Sequence, residues 1–488
     1  MMDLLAILVA LGLLMFLAFK GVTILIVAPL MALLAAIISG ALPPLAAYTQ
    51  IFMSNTGDFI IDFFPLFLLG AVFGKLMDDS GCAESIAKGV IAWLGPERAI
   101  LAVVLCCAVL TFGGVSLFVV AFAVYPIAAS LYRDADIPKR LIPGTIALGA
   151  FTFTMSALPG SPAIQNAIPM PFFGTTSFAA PGLGVITAAL MFGLGMVWLN
   201  RRHAQAIATG EGYGTHEDSI VKPTVVMREQ AQAEGFDIAE IDVKDQVKDT
   251  APSGLPSFAL AIAPVVVVVA VNMAFIQFIV PLLQVDFLSL PLFGETNLEA
   301  VRGLWAVIIA LTLASLFVIG TNWGRLSDLK ASLNKGADAS VLPIFATASL
   351  VGFGAVVAAL PGFQTVTEAL IGLGSTDPLI AVAVSVAILS GLTGSASGGM
   401  SIALDALGGT FVDMAKATGT SLEAMHRITS VASGAMDALP HNGAVITVLG
   451  ICQLGHKEAY FDVFMVAVVI PMISLIALII LASVFGSF

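Results

Sequence analysis

Residues 155–164 read MSALPGSPAI, and residues 436–445 read MDALPHNGAV. Each string interrupts an otherwise apolar run. Proline removes one helix hydrogen bond and clashes with the preceding turn, so each run is expected to be a helix broken at its Leu-Pro step. The strings share M-x-A-L-P-x-x-x-A at an offset of 281 residues. Other pairs follow nearly the same offset. Gly113 and Gly394 are 281 apart, Phe73-Gly74 and Phe353-Gly354 are 280 apart, and Gly95 and Gly374 are 279 apart. Several collinear matches at one spacing indicate an internal repeat.

The chain around these strings is built for lipid. Of its 488 residues 59% are hydrophobic and only 11% charged, and its mean hydropathy is +1.02. Soluble domains carry about 25% charged residues, so most of this surface is expected to face a bilayer. Apolar segments fall at 3–19, 21–40, 59–77, 98–132, 141–169 and 178–199, and again at 257–283, 300–321, 339–360, 378–412, 425–455 and 460–487. Most are long enough to cross a hydrocarbon core of about 30 Å. The first follows Met-Met-Asp without a basic region or a small-residue cleavage site, so it reads as a span and not as a signal peptide. Between the halves, 200–256 is polar and aperiodic and holds 10 of the 32 acidic residues, which suggests a linker loop. The net charge of −12 argues against a nucleic-acid partner. Cys82, Cys106, Cys107 and Cys452 show no metal-ligand spacing and read as packing residues.

Segments 98–132 and 378–412 are too long for one span and too short for two. Each breaks at small residues, FGGVS at 112–116 and TGSASGG at 393–399. A re-entrant hairpin fits, since irregular backbone at membrane depth is tolerated only where it lines a protein-enclosed or watery cavity. The expected fold is therefore an all-α polytopic membrane protein of two inverted repeats, 1–199 and 257–488. Each has five transmembrane spans and one re-entrant hairpin, arranged in scaffold and transport domains. Five spans per repeat place the second repeat upside down. With the N-terminus outside, 17 of the 20 basic residues fall on the cytoplasmic side, leaving Arg302, Lys416 and Arg427 outside. Both termini are then external, and 200–256 is cytoplasmic.

Inverted repeats with broken helices meeting near the midplane are a common layout of secondary transporters. A half-helix that begins inside the membrane offers free N–H groups and a positive dipole end to an anion. On this reading a carboxylate is held without a buried Arg or Lys. The candidate substrate-binding residues are Gly113, Gly114, Ser116, Ser156, Gly160, Ser161, Gln165, Asn166, Thr393, Gly394, Ser395, Ser397 and Asn442. Asp437 and His441 are the candidate proton-coupling pair, because an ionisable group inside a membrane is a functional hypothesis by default. Plainer roles compete. The glycines also suit close helix packing, the hydroxyls can bond their own preceding turn, and Asp437 can cap a half-helix with His441 as a bonded neighbour. Asp405 is a weaker candidate, and Asp58 and Asp62 read as interfacial. No catalytic or metal-binding group and no cofactor is indicated.

Three stretches, GAVFGKLMDDSGCAESIA (70–87), LTFGGVSLFVVAFAVYPIAASLYRDADIP (110–138) and SALPGSPAI (156–164), resemble the gluconate:proton symporter (GntP-type) family within the ion transporter superfamily. The resemblance is clearest over 70–170. It implies a moving transport domain that carries both hairpins and both broken helices, elevator-type alternating access and a homodimer. Gluconate-type members look to have an acidic-aromatic tip and a histidine-rich break, whereas this chain has FGGVS and LPGSP. With fewer groups to read hydroxyls, a smaller substrate is expected, a short hydroxy or keto monocarboxylate of the 3-hydroxybutyrate kind. Sodium coupling and sugar-acid uptake remain alternatives, and a channel is a distant one. An intramembrane enzyme has no support, since neither HExxH nor a pair of membrane aspartates in a Gly-x-Gly-Asp setting is present, nor a Ser/His couple with an orienting acid.

Overall fold

The computed structural model describes residues 2–20, 22–115, 117–214, 254–363, 377–440 and 442–488. Among them the chain is helical throughout, without strands. The first repeat runs through α1 (Met2–Phe19), α2 (Ile24–Ser39), the long α3 (Pro44–Asp79) and α4 (Cys82–Leu94). A hairpin of α5 (Ala99–Phe112) and α6 (Leu117–Asp134) follows. Next come α7 (Ile142–Ala150), the short turns Ile164–Ala167 and Pro169–Phe173, and α8 (Pro181–Thr209). The second repeat opens with α9 (Phe258–Leu282), α10 (Leu298–Thr321) and α11 (Leu329–Ala358). A hairpin of α12 (Pro378–Thr393) and α13 (Ala396–Thr418) follows, then α14 (Leu422–Ala435), α15 (Gly443–Ile451) and α16 (His456–Phe485). Apart from α4, which has no counterpart among the described residues, the elements follow the same order in both halves.

Among the described residues six helices, α3, α8, α9, α10, α11 and α16, are each long and apolar enough to cross a membrane. The rest are shorter because the sequence stops them. Both hairpins turn where glycine takes a left-handed backbone, Gly114 at φ +88° and Gly394 at φ +65°, a conformation other residues adopt only with strain. The two Leu-Pro breaks leave 151–163 and 436–440 without regular long helix. Side chains start several helices of the second repeat. Asn297 accepts from Ala300 N, Asp328 from Ala331 N and Ser395 from Gly398 N, each satisfying an N–H that a helix start leaves open.

Three boundaries differ from the hydropathy reading. The third span of each half begins 10–15 residues early, at Pro44 and Leu329, ahead of the apolar stretch. Asp58 and Asp62 therefore sit on the exposed face of a continuous helix near its middle, not at its end. α4 falls between two apolar segments; it is a helix with one buried face (Cys82, Ile86, Val90) and an exposed Trp93 at its far end. α8 continues to Thr209, so the polar connection starts at Gly210. Most of that linker, 215–253, lies outside the described residues.

The helices pack as two groups. α3 and α11, one from each repeat, lie along each other, with α1, α2, α9 and α10 beside them. Gly336 and Gly352 permit this approach, since a Cβ there would lie 2.7 Å from Val72 Cα and 2.7 Å from Phe52 O. The second group contains both hairpins, both broken helices, α8 and α16. One end of it is tied by Asp462, which is 1% exposed. Its carboxylate accepts from Arg140 Nη1 at 3.0 Å, Arg202 Nε at 2.8 Å and Trp198 Nε1 at 3.0 Å. All four cysteines are buried and reduced.

Candidate functional site

Each hairpin tip sits on the break of its own repeat. In the first, Gly114 lies so close to the break that an added Cβ would meet Pro162 at 3.3 Å, while Gly113 abuts α9, where a Cβ would be 2.6 Å from Val265. In the second, Asn442 Nδ2 donates to Gly394 O at 2.6 Å across the tip, and Asn442 Oδ1 accepts from Val445 N at 2.9 Å. The same amide thus caps α15 and holds the hairpin. Ser161 is the repeat partner of Asn442. It does a smaller version of the same task, its hydroxyl accepting from Ala163 N at 3.2 Å.

The two breaks also adjoin. Ser430 Oγ on α14 donates to Ser156 O at 2.9 Å, and a Cβ on Gly434 would lie 3.4 Å from Ser156 Oγ. The second half of the first broken helix packs on α13 and α14. The structure therefore brings Ser156, Gly160, Ser161, Gln165 and Asn166 close to α14, which leads into Asp437. Thr393, Gly394, Ser395, Ser397 and Asn442 gather at the second tip. Ser116 and His441 lie outside the described residues.

Within this cluster the polar groups divide by how much hydrogen bonding they have left. Asn166 is wholly buried and fully used. Nδ2 donates to Ser161 O at 3.0 Å and Ser177 O at 2.9 Å, and Oδ1 accepts from Arg427 Nη1 at 3.0 Å and His426 Nε2 at 3.2 Å. Ser156 Oγ donates to Thr152 O at 3.1 Å, Thr393 Oγ1 to Leu389 O at 2.9 Å, and Gly160 N to Ser177 O at 2.9 Å. Ser395 Oγ is taken by the α13 cap. Gln165 and Ser397 are half-buried, and their side chains bond to nothing among the described residues. Thr447 Oγ1, on α15, is buried without a partner. Asp437 is half-buried in the second break. Open amide and hydroxyl groups beside two seated tips can bind a small polar ligand.

His426 and Arg427 are neighbours on α14; the sequence reading puts Arg427 among the external charges and expects an anion held without a buried Arg or Lys. Both are completely buried on α14. His426 Nδ1 lies 2.6 Å from Thr175 Oγ1 and its Nε2 lies 3.2 Å from Asn166 Oδ1, so a neutral ring with its proton on Nε2 satisfies both contacts. Arg427 donates to Ala179 O, Ser177 O, Ser156 O and Asn166 Oδ1. The available signal is an adjacent His-Arg pair at the start of segment 425–455, in the second turn of a helix capped at Ser421.

Hairpins seated on broken helices, in two repeats of a polytopic helical chain, define a multi-pass membrane transporter. No family model matches the sequence. An uncharacterised transporter of Bacillus subtilis (strain 168), YxjC, is 43% identical over 475 residues, covering 96% of each chain, and this protein belongs to the same transporter family. The crystal structure of the YdaH transporter of Alcanivorax borkumensis, described as having an unusual topology, matches with a TM-score of 0.55 over 91% of this chain and 90% of that one. At 15% identity it shares the fold alone.

Proposed function

We propose that the protein is a secondary active transporter that imports a small organic carboxylate, a short hydroxy or keto monocarboxylate, together with protons. The observation that carries this is the pairing of each hairpin tip with a break, and of the two breaks with each other through Ser430 and Ser156. α6, α13 and α15 all begin at these tips and at the second break, so their positive dipole ends converge on a region with open groups at Gln165, Ser397 and Thr447. Such a region suits one carboxylate and few hydroxyls, which favours a short acid over a sugar acid and agrees with the partial GntP-type resemblance.

Asp437, with His441, is the proposed proton carrier. The second packing group would move as a body past α3 and α11 in an elevator cycle, within a homodimer in the cell's inner membrane. The termini would lie outside and the 200–256 loop in the cytoplasm. The test is uptake of labelled 3-hydroxybutyrate into proteoliposomes under an imposed pH gradient or an imposed sodium gradient. The pH gradient should drive accumulation. Asp437→Asn should abolish that accumulation while leaving carboxylate exchange. Accumulation driven by sodium alone would replace proton coupling, and unchanged proton-driven uptake in the variant would remove Asp437 from the mechanism.

A further inference from the structure

Arg427 carries a charge that no described residue around it neutralises. Its side chain is fully buried. Nε donates to Ala179 O at 3.1 Å, and Nη2 to Ala179 O at 2.8 Å and Ser177 O at 3.3 Å. Nη1 donates to Asn166 Oδ1 at 3.0 Å and Ser156 O at 3.4 Å. Every acceptor is a neutral carbonyl oxygen. Among the described residues no carboxylate forms an ion pair with it. A guanidinium in a protein does not lose its proton, and a buried ion without a counter-ion is costly to keep. The neighbouring His426 adds no compensating negative charge, since both its nitrogens are satisfied in the neutral ring.

The charge also has a place. Its Nη1 group reaches the carbonyl of Ser156 in the first break, the same carbonyl that Ser430 holds. The Asn166 amide it bonds is next in sequence to Gln165, whose own amide is open. The guanidinium therefore lies one residue from the open Gln165 amide, where the two breaks adjoin. We propose that Arg427 is the fixed counter-charge of the transported anion, acting through the first break without touching the ligand. This deepens the carboxylate reading and rests on it. It makes Arg427 a positioning residue that sets the sign of the accepted charge. Coulomb attraction across a poorly screened interior scales with ligand charge, so a neutral isostere of the substrate should be indifferent to it. A purely structural role would affect both ligands alike.

The test uses the purified full-length protein in detergent and two probes of nearly equal shape, 3-hydroxybutyrate and 3-hydroxybutyramide, with binding read by equilibrium dialysis. The wild type should favour the carboxylate. Arg427→Gln should weaken carboxylate binding by about ten-fold and leave the amide unchanged, while Arg427→Lys keeps the preference. Asn166→Asp sets a carboxylate against Nη1 with the guanidinium still present, and should erase the preference as Arg427→Gln does. It carries the test if Arg427→Gln does not fold. Equal weakening of both probes, or a carboxylate preference intact in both charge-cancelling variants, overturns the proposal and leaves the substrate class standing. A wild type that binds the amide and not the carboxylate overturns the substrate class itself, and this inference with it.

Discussion

Asn442 spends its amide twice, on the first turn of α15 and on the carbonyl of Gly394. Losing a helix cap costs about 1 kcal/mol, and leaving a buried carbonyl unbonded costs about 1–3 kcal/mol more. Asn442→Ala should therefore lower stability by about 2–4 kcal/mol, read from thermal unfolding in detergent, and should end uptake because the tip is released. Asn442→Asp keeps the cap oxygen and sets an acceptor against Gly394 O, so it should retain more stability than Ala yet still lose transport. A variant that transports normally would show that the tip is held from elsewhere. Sequence placed Asn442 at a break but could not show this double use. The same holds for Asn166 and Gln165, adjacent amides that looked alike. One closes a buried network and the other stays open, because helix rotation turns neighbouring residues to different partners.

At the level of the elements, the hairpin of the second repeat is held by backbone contact. A Cβ on Gly399 would lie 2.2 Å from both Ser390 Cα and Ser390 N, so α12 and α13 touch there with no room for a methyl group. Gly409, on the same helix, has nothing within 4 Å of its Cβ position. Gly399→Ala should cost about 3 kcal/mol through overpacking and abolish substrate binding, whereas Gly409→Ala should be neutral or raise stability by up to about 1 kcal/mol, the helix propensity difference. Equal melting temperatures for the two variants would refute this close packing. Element existence was readable in advance because Leu-Pro steps and glycine tips act locally. Element ends were less so: α3 and α11 run beyond their apolar stretches, where hydropathy no longer reports helix. α4 was passed over because its thirteen residues bury only one face.

For the molecule as a whole, Asp462 joins three elements that are distant in sequence: the start of the first broken helix through Arg140, the end of α8 through Arg202 and Trp198, and α16 itself. Removing one partner of a buried ion pair costs about 3–5 kcal/mol. The arginines here keep some solvent, with side chains 19% and 25% exposed, so Asp462→Asn should cost somewhat less, about 2–3 kcal/mol. The loss should appear as one lowered unfolding transition, since the three elements belong to one packing group. A variant that melts like the wild type would mean that apolar packing alone holds this end together.

The sequence by itself determined that the chain spans a membrane, that it repeats, and where its helices break, because hydropathy, proline and glycine act on the residues that carry them. Only the tertiary structure decided which polar groups are consumed and which stay open, and that a guanidinium lies buried behind the first break. Arg427 meets Ser156 and Ala179 across 271 and 248 residues of chain. The desolvation, hydrogen bonding and field that give such a group its role come from neighbours that only folding brings together.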